Sequence, residues 1–107
     1  ERLIHQAVSN LINNAIKYSY EASLINIELK QIAQGIQIQV TNQGDIIDTL
    51  EQSHLFERFY KRSTDDNSNG LGLAITQSII QLHHGKIHVT SNHQDGTTFT
   101  IILPKNI

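Results

Sequence analysis

Asn10, Asn13, Asn14 and Lys17 are spaced so that a helix would gather them on one side, with the ring of Tyr18 just past them. At about 100° per residue, Asn10, Asn14 and Lys17, with Asn13 beside them, share one arc, while Ile4, Val8, Leu11, Ile12 and Ala15 fall in the opposite one. A side-chain amide carbonyl is a hard, neutral oxygen ligand. It suits Mg²⁺, which takes a few protein oxygens and leaves its remaining positions to phosphate and water. Lys17 adds positive charge toward a phosphate. The solvated face of an amphipathic helix would use the same residues, but asparagine is a poor helix former, and three of them between positions 10 and 14 ask for a reason.

Three further segments are chemically suggestive, each with a plainer alternative. Ser68-Asn69-Gly70-Leu71-Gly72-Leu73 stands where a polar stretch becomes a helix. Glycines there let the backbone approach a ligand, and free N–H groups at a helix start attract phosphate, although a flexible loop entering a helix reads the same way. Val40-Thr41-Asn42-Gln43-Gly44-Asp45-Ile46-Ile47 is a strand running into a glycine turn with an amide at the strand's end, as many ordinary turns are. Leu55-Phe56-Glu57-Arg58-Phe59-Tyr60-Lys61 reads as a short core-packing helix with a basic exit.

The elements that must position these residues follow from periodicity. Helical spacing runs from Arg2 to Tyr18, then Ile25, Ile27 and Leu29 alternate with Asn26, Glu28 and Lys30. A turn at Gln31 to Gly35 and renewed alternation at Ile36, Ile38 and Val40 predict an antiparallel hairpin. A short helix is expected from about Leu50 to Tyr60, and Arg62 to Asn69 has no apolar residue to bury. Leu71, Ile75, Ile79 and Leu82 predict a third helix, with Gly85 as its C-terminal stop and His83 and His84 in its last turn. Strands at Lys86 to Ser91 and Thr97 to Leu103, joined by the turn Asn92 to Gly96 and ended by Pro104, close the chain. Strands grouped apart from helices, without strict βαβ alternation, predict an α+β fold: a two-layer α/β sandwich with three helices on one face of a mixed sheet.

At 107 residues, with 38% apolar and 17% charged content, the chain is read as one domain, residues 1–107. A formal charge of −2 without basic runs argues against a nucleic-acid or anionic-membrane surface. Cysteine is absent from the sequence, which excludes disulfides and Cys-based zinc sites. No stretch approaches the roughly 18 apolar residues of a membrane span. The sequence opens at Glu1-Arg2-Leu3 already inside a helical pattern, as an excised piece of something longer would.

In order along the chain, the four segments resemble the boxes of one family. Asn10 to Ser19 is similar to the N box, Asn42 to Ile47 to the G1 box, Leu55 to Lys61 to the F box and Ser68 to Leu73 to the G2 box of the C-terminal catalytic and ATP-binding domain of bacterial sensor histidine kinases. Asp95-Gly96-Thr97-Thr98-Phe99 and Ile102-Leu103-Pro104 resemble that domain's closing strand. The wider superfamily holds gyrase, heat-shock chaperone and mismatch-repair ATPases, and its Bergerat ATP-binding fold is the sandwich expected here. The resemblance implies ATP and Mg²⁺ as cofactors. It makes Asn14 the metal ligand, sets Asn10 beside metal and phosphates, and brings Lys17 to a phosphate. Tyr18 would pack on the adenine, the Gly70 and Gly72 amides would hold phosphates, and Arg62 to Asn69 would be the ATP lid. Lys61 and Arg58 would bring charge to the terminal phosphate, completing a catalytic set with Asn10 and Lys17. Asn42, Gly44, Ile47, Leu71, Leu73 and Thr98 complete the implied nucleotide-binding positions.

Departures from the family pattern carry their own expectations. Where the G1 box usually has an aspartate for the adenine amino group, this chain has Asn42. A neutral hydrogen bond is worth about 0.5–1.5 kcal/mol against about 1.5–3 for a charged one, so adenine binding is expected to weaken roughly tenfold. Ile46 replaces the second G1 glycine, and a β-branched residue does not cheaply take positive φ, so the loop must follow another path. A similar Asn-x-Gly-x-x-Ile pattern occurs in a subset of sensor kinases, some of them metal-responsive. Ser68 replaces the first G2 glycine. No histidine precedes the Glu and Thr-Pro pattern of a phosphoacceptor helix, and the strand that the family places before this first helix is missing, which would leave an open sheet edge.

The function implied is to bind Mg-ATP and present its γ-phosphate to a histidine on the kinase's own dimerisation domain, with a response regulator downstream. The chain alone would then not phosphorylate itself, and would be monomeric unless strand-swapped. By the same resemblance it is a cytoplasmic domain of an inner-membrane receptor. A nucleotide-binding regulatory module with weakened catalysis is the alternative, and an anti-sigma kinase or chaperone-type ATPase fits the Phe56-Glu57-Arg58-Phe59-Tyr60 box less well.

Overall fold

The periodicity read from Arg2 forms one helix, α1 (Arg2–Tyr18), in a computed structural model that describes residues 2–20, 23–57 and 72–105. Its most buried positions are Ala7, Leu11 and Ala15, one per turn. The alanines matter because small side chains let helices approach closely, and α1 packs against both α3 (Gly72–Leu82) and the sheet. The buried stripe is therefore rotated from the expected apolar arc. Asn10 and Asn14 each follow a stripe residue by three positions and lie half-buried at its margin. Lys17 and Asn13 are exposed.

Four strands, β1 (Ile25–Ile32), β2 (Gly35–Asn42), β3 (Lys86–Asn92) and β4 (Gly96–Pro104), form a sheet of order β1-β2-β4-β3. The expected mixed sheet is a correction: every pairing among the described residues is antiparallel. Two hairpins supply the outer pairs, and β4 returns beside β2 in the opposite sense. Register aligns Ile38 with Ile101 and Val40 with Phe99, and Phe99 in turn with Val89. One sheet face thus joins Leu11, Ile79 and Ile80 of the helices in a single core. The other face is polar, with Thr41 and Thr98 hydroxyls 2.9 Å apart and Gln39 Nε2 donating to Thr100 Oγ1 at 3.2 Å. On the inner face the β1 edge stays open, where Ile27 and Leu29 are 51% and 73% exposed.

The helix expected from Leu50 to Tyr60 is shorter. Asp48 caps α2 (Thr49–Gln52), its Oδ1 accepting from Glu51 N at 2.8 Å. After Gln52 the bonds tighten: His54 N donates to Glu51 O and Glu57 N to His54 O, each three residues back at 3.0 Å. Ser53 and His54 drive this locally, Ser53 Oγ donating to Leu50 O and the His54 ring lying 2.7 Å from Glu57. Leu55 is still buried and Phe56 meets Phe99 edge-on at 6.1 Å, so these two residues pack as expected without a long helix. Phe59, Tyr60 and the polar stretch Arg62 to Asn69 lie outside the described residues.

The stop after α3 also differs from expectation. His84, at φ 63°, is the left-handed residue, and Gly85 N closes the motif on Ile80 O at 2.9 Å. Gly85 serves instead for close approach, since a Cβ there would come within 2.6 Å of Ile102 O. His83 Nδ1–H donates to Ile79 O at 2.8 Å and satisfies a terminal carbonyl.

Candidate functional site

The end of α1 is sewn to the β2–α2 loop. Past Tyr18 the chain makes a bridge between Ser19 and Gly44, and Tyr20 N donates to Gln43 O at 2.7 Å. Gly44 is needed for this seam by contact alone: a Cβ would collide with the Tyr18 carbonyl oxygen. Neither Gly44 nor Ile46 has positive φ, so the loop takes a path open to a β-branched residue. The seam brings the backbone of the half-buried Tyr18 beside the loop that follows Asn42. Lys17 Nζ lies 5.2 Å from the centre of the Tyr18 ring. Tyr20 Oη donates to Asp45 Oδ1 at 3.2 Å, and that bond, chiefly, raises the Tyr20 hydroxyl above its ordinary pKa.

Asn42 ends β2 and is 4% exposed, level in register with the equally buried Thr97. The Asn42 Nδ2 atom is 3.1 Å from where a Gly44 Cβ would stand, so strand end and loop touch. Beside them Ile47 N donates to Ser91 Oγ at 3.0 Å, and Ser91 and Thr97 hydroxyls share a 2.8 Å hydrogen bond. Thr98, the threonine singled out from the sequence, is not brought here. It faces the other side of the sheet, bonded to Thr41, because successive strand residues alternate faces. Thr97 and Ser91 are the polar residues that sequence reading missed. Their signal was available in the parity of Thr97 with Phe99 and Ile101.

At the other rim, α3 starts at Gly72, which is exposed, and Leu73 is half-buried against the core. Thr76 Oγ1 donates back to Gly72 O at 2.9 Å, tightening the first turn. A Cβ on Gly72 would meet nothing within 4 Å. Gly72→Ala is therefore expected to leave the unfolding midpoint unchanged, or raise stability by up to about 1 kcal/mol. A lowered thermal midpoint would show that the fold itself needs this glycine. Gly70, Leu71, Lys61 and Arg58 lie outside the described residues.

The donor chemistry fits Mg-ATP: paired amides and a lysine along one helix margin, an aromatic ring at its end, and a buried amide beside threonine and serine hydroxyls. Comparisons with known proteins support the ATP part of this chemistry. Residues 1–107 match the family described as Histidine kinase-, DNA gyrase B-, and HSP90-like ATPase. The chain is 62% identical over 104 residues to a heme sensor protein HssS of Staphylococcus haemolyticus, covering 97% of the chain and 23% of that protein. It is 53% identical over 106 residues to HssS of Staphylococcus aureus, covering 99% of the chain and again 23% of the relative. The chain thus spans about a quarter of the length of these curated relatives. Among solved structures, the mycobacterial sensor histidine kinase MprB superposes with TM-score 0.85 at 32% identity, over 92% of this chain and 70% of that one. A nucleotide-free catalytic domain of histidine kinase ThkA gives 0.85 at 30%, over 97% and 68%. The antiparallel sheet under its helices, the seam at Gly44 and these matches lead to one conclusion: the chain belongs to the Histidine kinase-, DNA gyrase B-, and HSP90-like ATPase family, as the type of catalytic domain found in sensor histidine kinases.

Proposed function

We propose that this domain binds Mg-ATP and presents the γ-phosphate to a histidine on the dimerisation domain of its own sensor kinase. The observation that carries the reading is the seam of Ser19 and Tyr20 with Gln43 and Gly44, which joins the helix bearing Asn10, Asn14 and Lys17 to the loop following buried Asn42. Asn14 is the metal ligand, with Asn10 beside it, and Lys17 pairs with a phosphate oxygen. Tyr18 packs on the base, and Asn42 accepts from the adenine amino group with Thr97 and Ser91 supporting it. Amides at the start of α3, Gly72 and Leu73 with Gly70 and Leu71 before them, take the phosphates, and Lys61 and Arg58 add charge at the γ-phosphate. When bound, Mg²⁺ supplies charge neutralisation across the phosphates. The residues themselves position the nucleotide, so that the acceptor nitrogen attacks phosphorus as the bond to ADP breaks.

The relatives' name, heme sensor protein, supports placing the domain at the output end of a heme-responsive kinase, and the same proposal has it face the cytoplasm from a membrane receptor and pass phosphate to a response regulator. Among the described residues no helix is long and apolar enough to cross a membrane. The test is calorimetric ATP titration with and without Mg²⁺. Saturable, Mg-dependent binding is expected, and heat indistinguishable from dilution would sink the reading. Asn42→Asp is expected to tighten binding by up to roughly tenfold, the difference between a neutral and a charged acceptor. A nucleotide-binding regulatory module with weakened catalysis is the second reading, favoured by that same neutral amide. ATP binding by the full-length protein without labelling of its acceptor histidine would establish it.

A further inference from the structure

The β2–α2 loop, residues 43–48, is anchored to its own sheet at both ends. At entry, Gln43 Nε2 donates to Asp95 O at 3.4 Å. At exit, Ile47 N bonds to Ser91 Oγ, Gln52 Nε2 donates to Ile47 O at 2.7 Å, and Asp48 caps α2. The middle, Gly44-Asp45-Ile46, is tied instead to the chain just past α1. One of those ties is backbone, the Ser19–Gly44 bridge with its Tyr20 N to Gln43 O hydrogen bond, and it asks of the side chains only that Gly44 have none. The other runs between side chains: Tyr20 Oη donates to Asp45 Oδ1 across 25 positions of sequence.

We propose that Tyr20 and Asp45 are positioning residues for the nucleotide, their side-chain hydrogen bond latching the Asn42–Gly44 loop to the helix end that carries Asn14, Lys17 and Tyr18. This rests on the nucleotide-binding reading above and adds to it two residues that touch neither base nor phosphate. The physical need arises at Ile46. No residue of the loop is left-handed, so it uses none of the turns that need positive φ, and its middle is held by the ties it makes to the end of α1. A ligand gripped at one end by Asn42 and at the other by the α1 amides requires those arms at a set spacing. When the latch holds that spacing beforehand, binding does not have to order the loop. Tyr20 is 55% exposed, so water competes for its hydroxyl and the bond matters little to global folding. Its influence is local. The bond also needs the neutral phenol, since a phenolate facing the Asp45 carboxylate would repel it, in keeping with the upward shift of the hydroxyl.

Calorimetric Mg-ATP titrations of the wild-type chain, Tyr20→Phe, Asp45→Ala, the double variant of these two, and Asp45→Asn test the proposal, with thermal unfolding of each. Each single variant is expected to bind Mg-ATP about threefold more weakly, the loss of one hydrogen bond to a carboxylate reduced by the water that competes at the exposed Tyr20 hydroxyl. The double variant is expected to be no weaker than either single, because both remove the same bond. Asp45→Asn is expected to bind between wild type and Asp45→Ala, since an amide Oδ1 still accepts, though more weakly than a carboxylate, and unfolding midpoints should stay together. Additive losses, single variants that bind as wild type does, or Asp45→Asn as weak as Asp45→Ala would each overturn the latch while leaving nucleotide binding intact. A wild-type chain that does not bind Mg-ATP would overturn the nucleotide reading and the latch with it.

Discussion

Gly44→Ala is expected to destabilise the chain by about 3 kcal/mol and to weaken nucleotide binding by more than roughly tenfold. A Cβ at this position points at the Tyr18 carbonyl oxygen and stands 3.1 Å from Asn42 Nδ2. Backbone lies on both sides of the first collision, so no rotamer change relieves it; either α1 or the loop must move. Movement breaks the Ser19–Gly44 bridge and with it the Tyr20 N to Gln43 O hydrogen bond that forms it, worth about 0.5–1.5 kcal/mol, on top of overpacking that typically costs about 1–3 kcal/mol. The same displacement parts Asn42 from the α1 amides, which is why affinity falls beyond what lost stability explains. Chemical denaturation gives the first number, and ATP titration at a temperature where the variant stays folded gives the second. Wild-type behaviour in both would mean that the seam is not the organising contact of the site.

How far the sequence carries this picture depends on the range of the physics involved. Periodicity acts over a few residues, and it placed α1 from Arg2 to Tyr18 and both hairpins to within a residue or two. It put Leu11 and Ala15 on the apolar arc but left out Ala7, the third residue of the buried stripe of α1. Alanine scores as weakly apolar, and the burial of Ala7 comes with the packing of α1 against α3 and the sheet. The choice between Thr97 and Thr98 turns on where β4 begins, and that is set by Gly96 at φ 79°, a turn residue whose conformation the strand pattern does not contain. Parity with Phe99 would have resolved it. The shortening of α2 came from Ser53 and His54 competing for backbone and side-chain partners, a local effect that apolar spacing ignores. The long-range pairs, Tyr20 with Asp45 and Ile47 with Ser91, had no signal in one sequence, because hydrogen bonds 25 and 44 residues apart leave no period to read.

Asn14→Ala should abolish most of the Mg²⁺ dependence of ATP binding while leaving the fold at least as stable. Losing even an outer-shell partner of a metal site costs roughly 10–100-fold in metal affinity, and a direct ligand is expected to cost no less. Stability and function separate cleanly at this position. Asn14 sits half-buried at the margin of the Ala7–Leu11–Ala15 stripe, inside a helix where alanine is favoured over asparagine by several tenths of a kcal/mol. A loss of binding therefore reports on the ligand, not on unfolding. Asn13→Ala supplies the control, being one residue away, exposed and equally improved in helix propensity. Titrating wild type and both variants with ATP, with and without Mg²⁺, gives four expected relations. Wild type and Asn13→Ala gain affinity on adding Mg²⁺, Asn14→Ala gains little, and all three agree when the metal is withheld. Mg-dependent affinity in Asn14→Ala equal to that of wild type would remove Asn14 from the metal site and move the search to Asn10, one turn toward the N-terminus along the same margin.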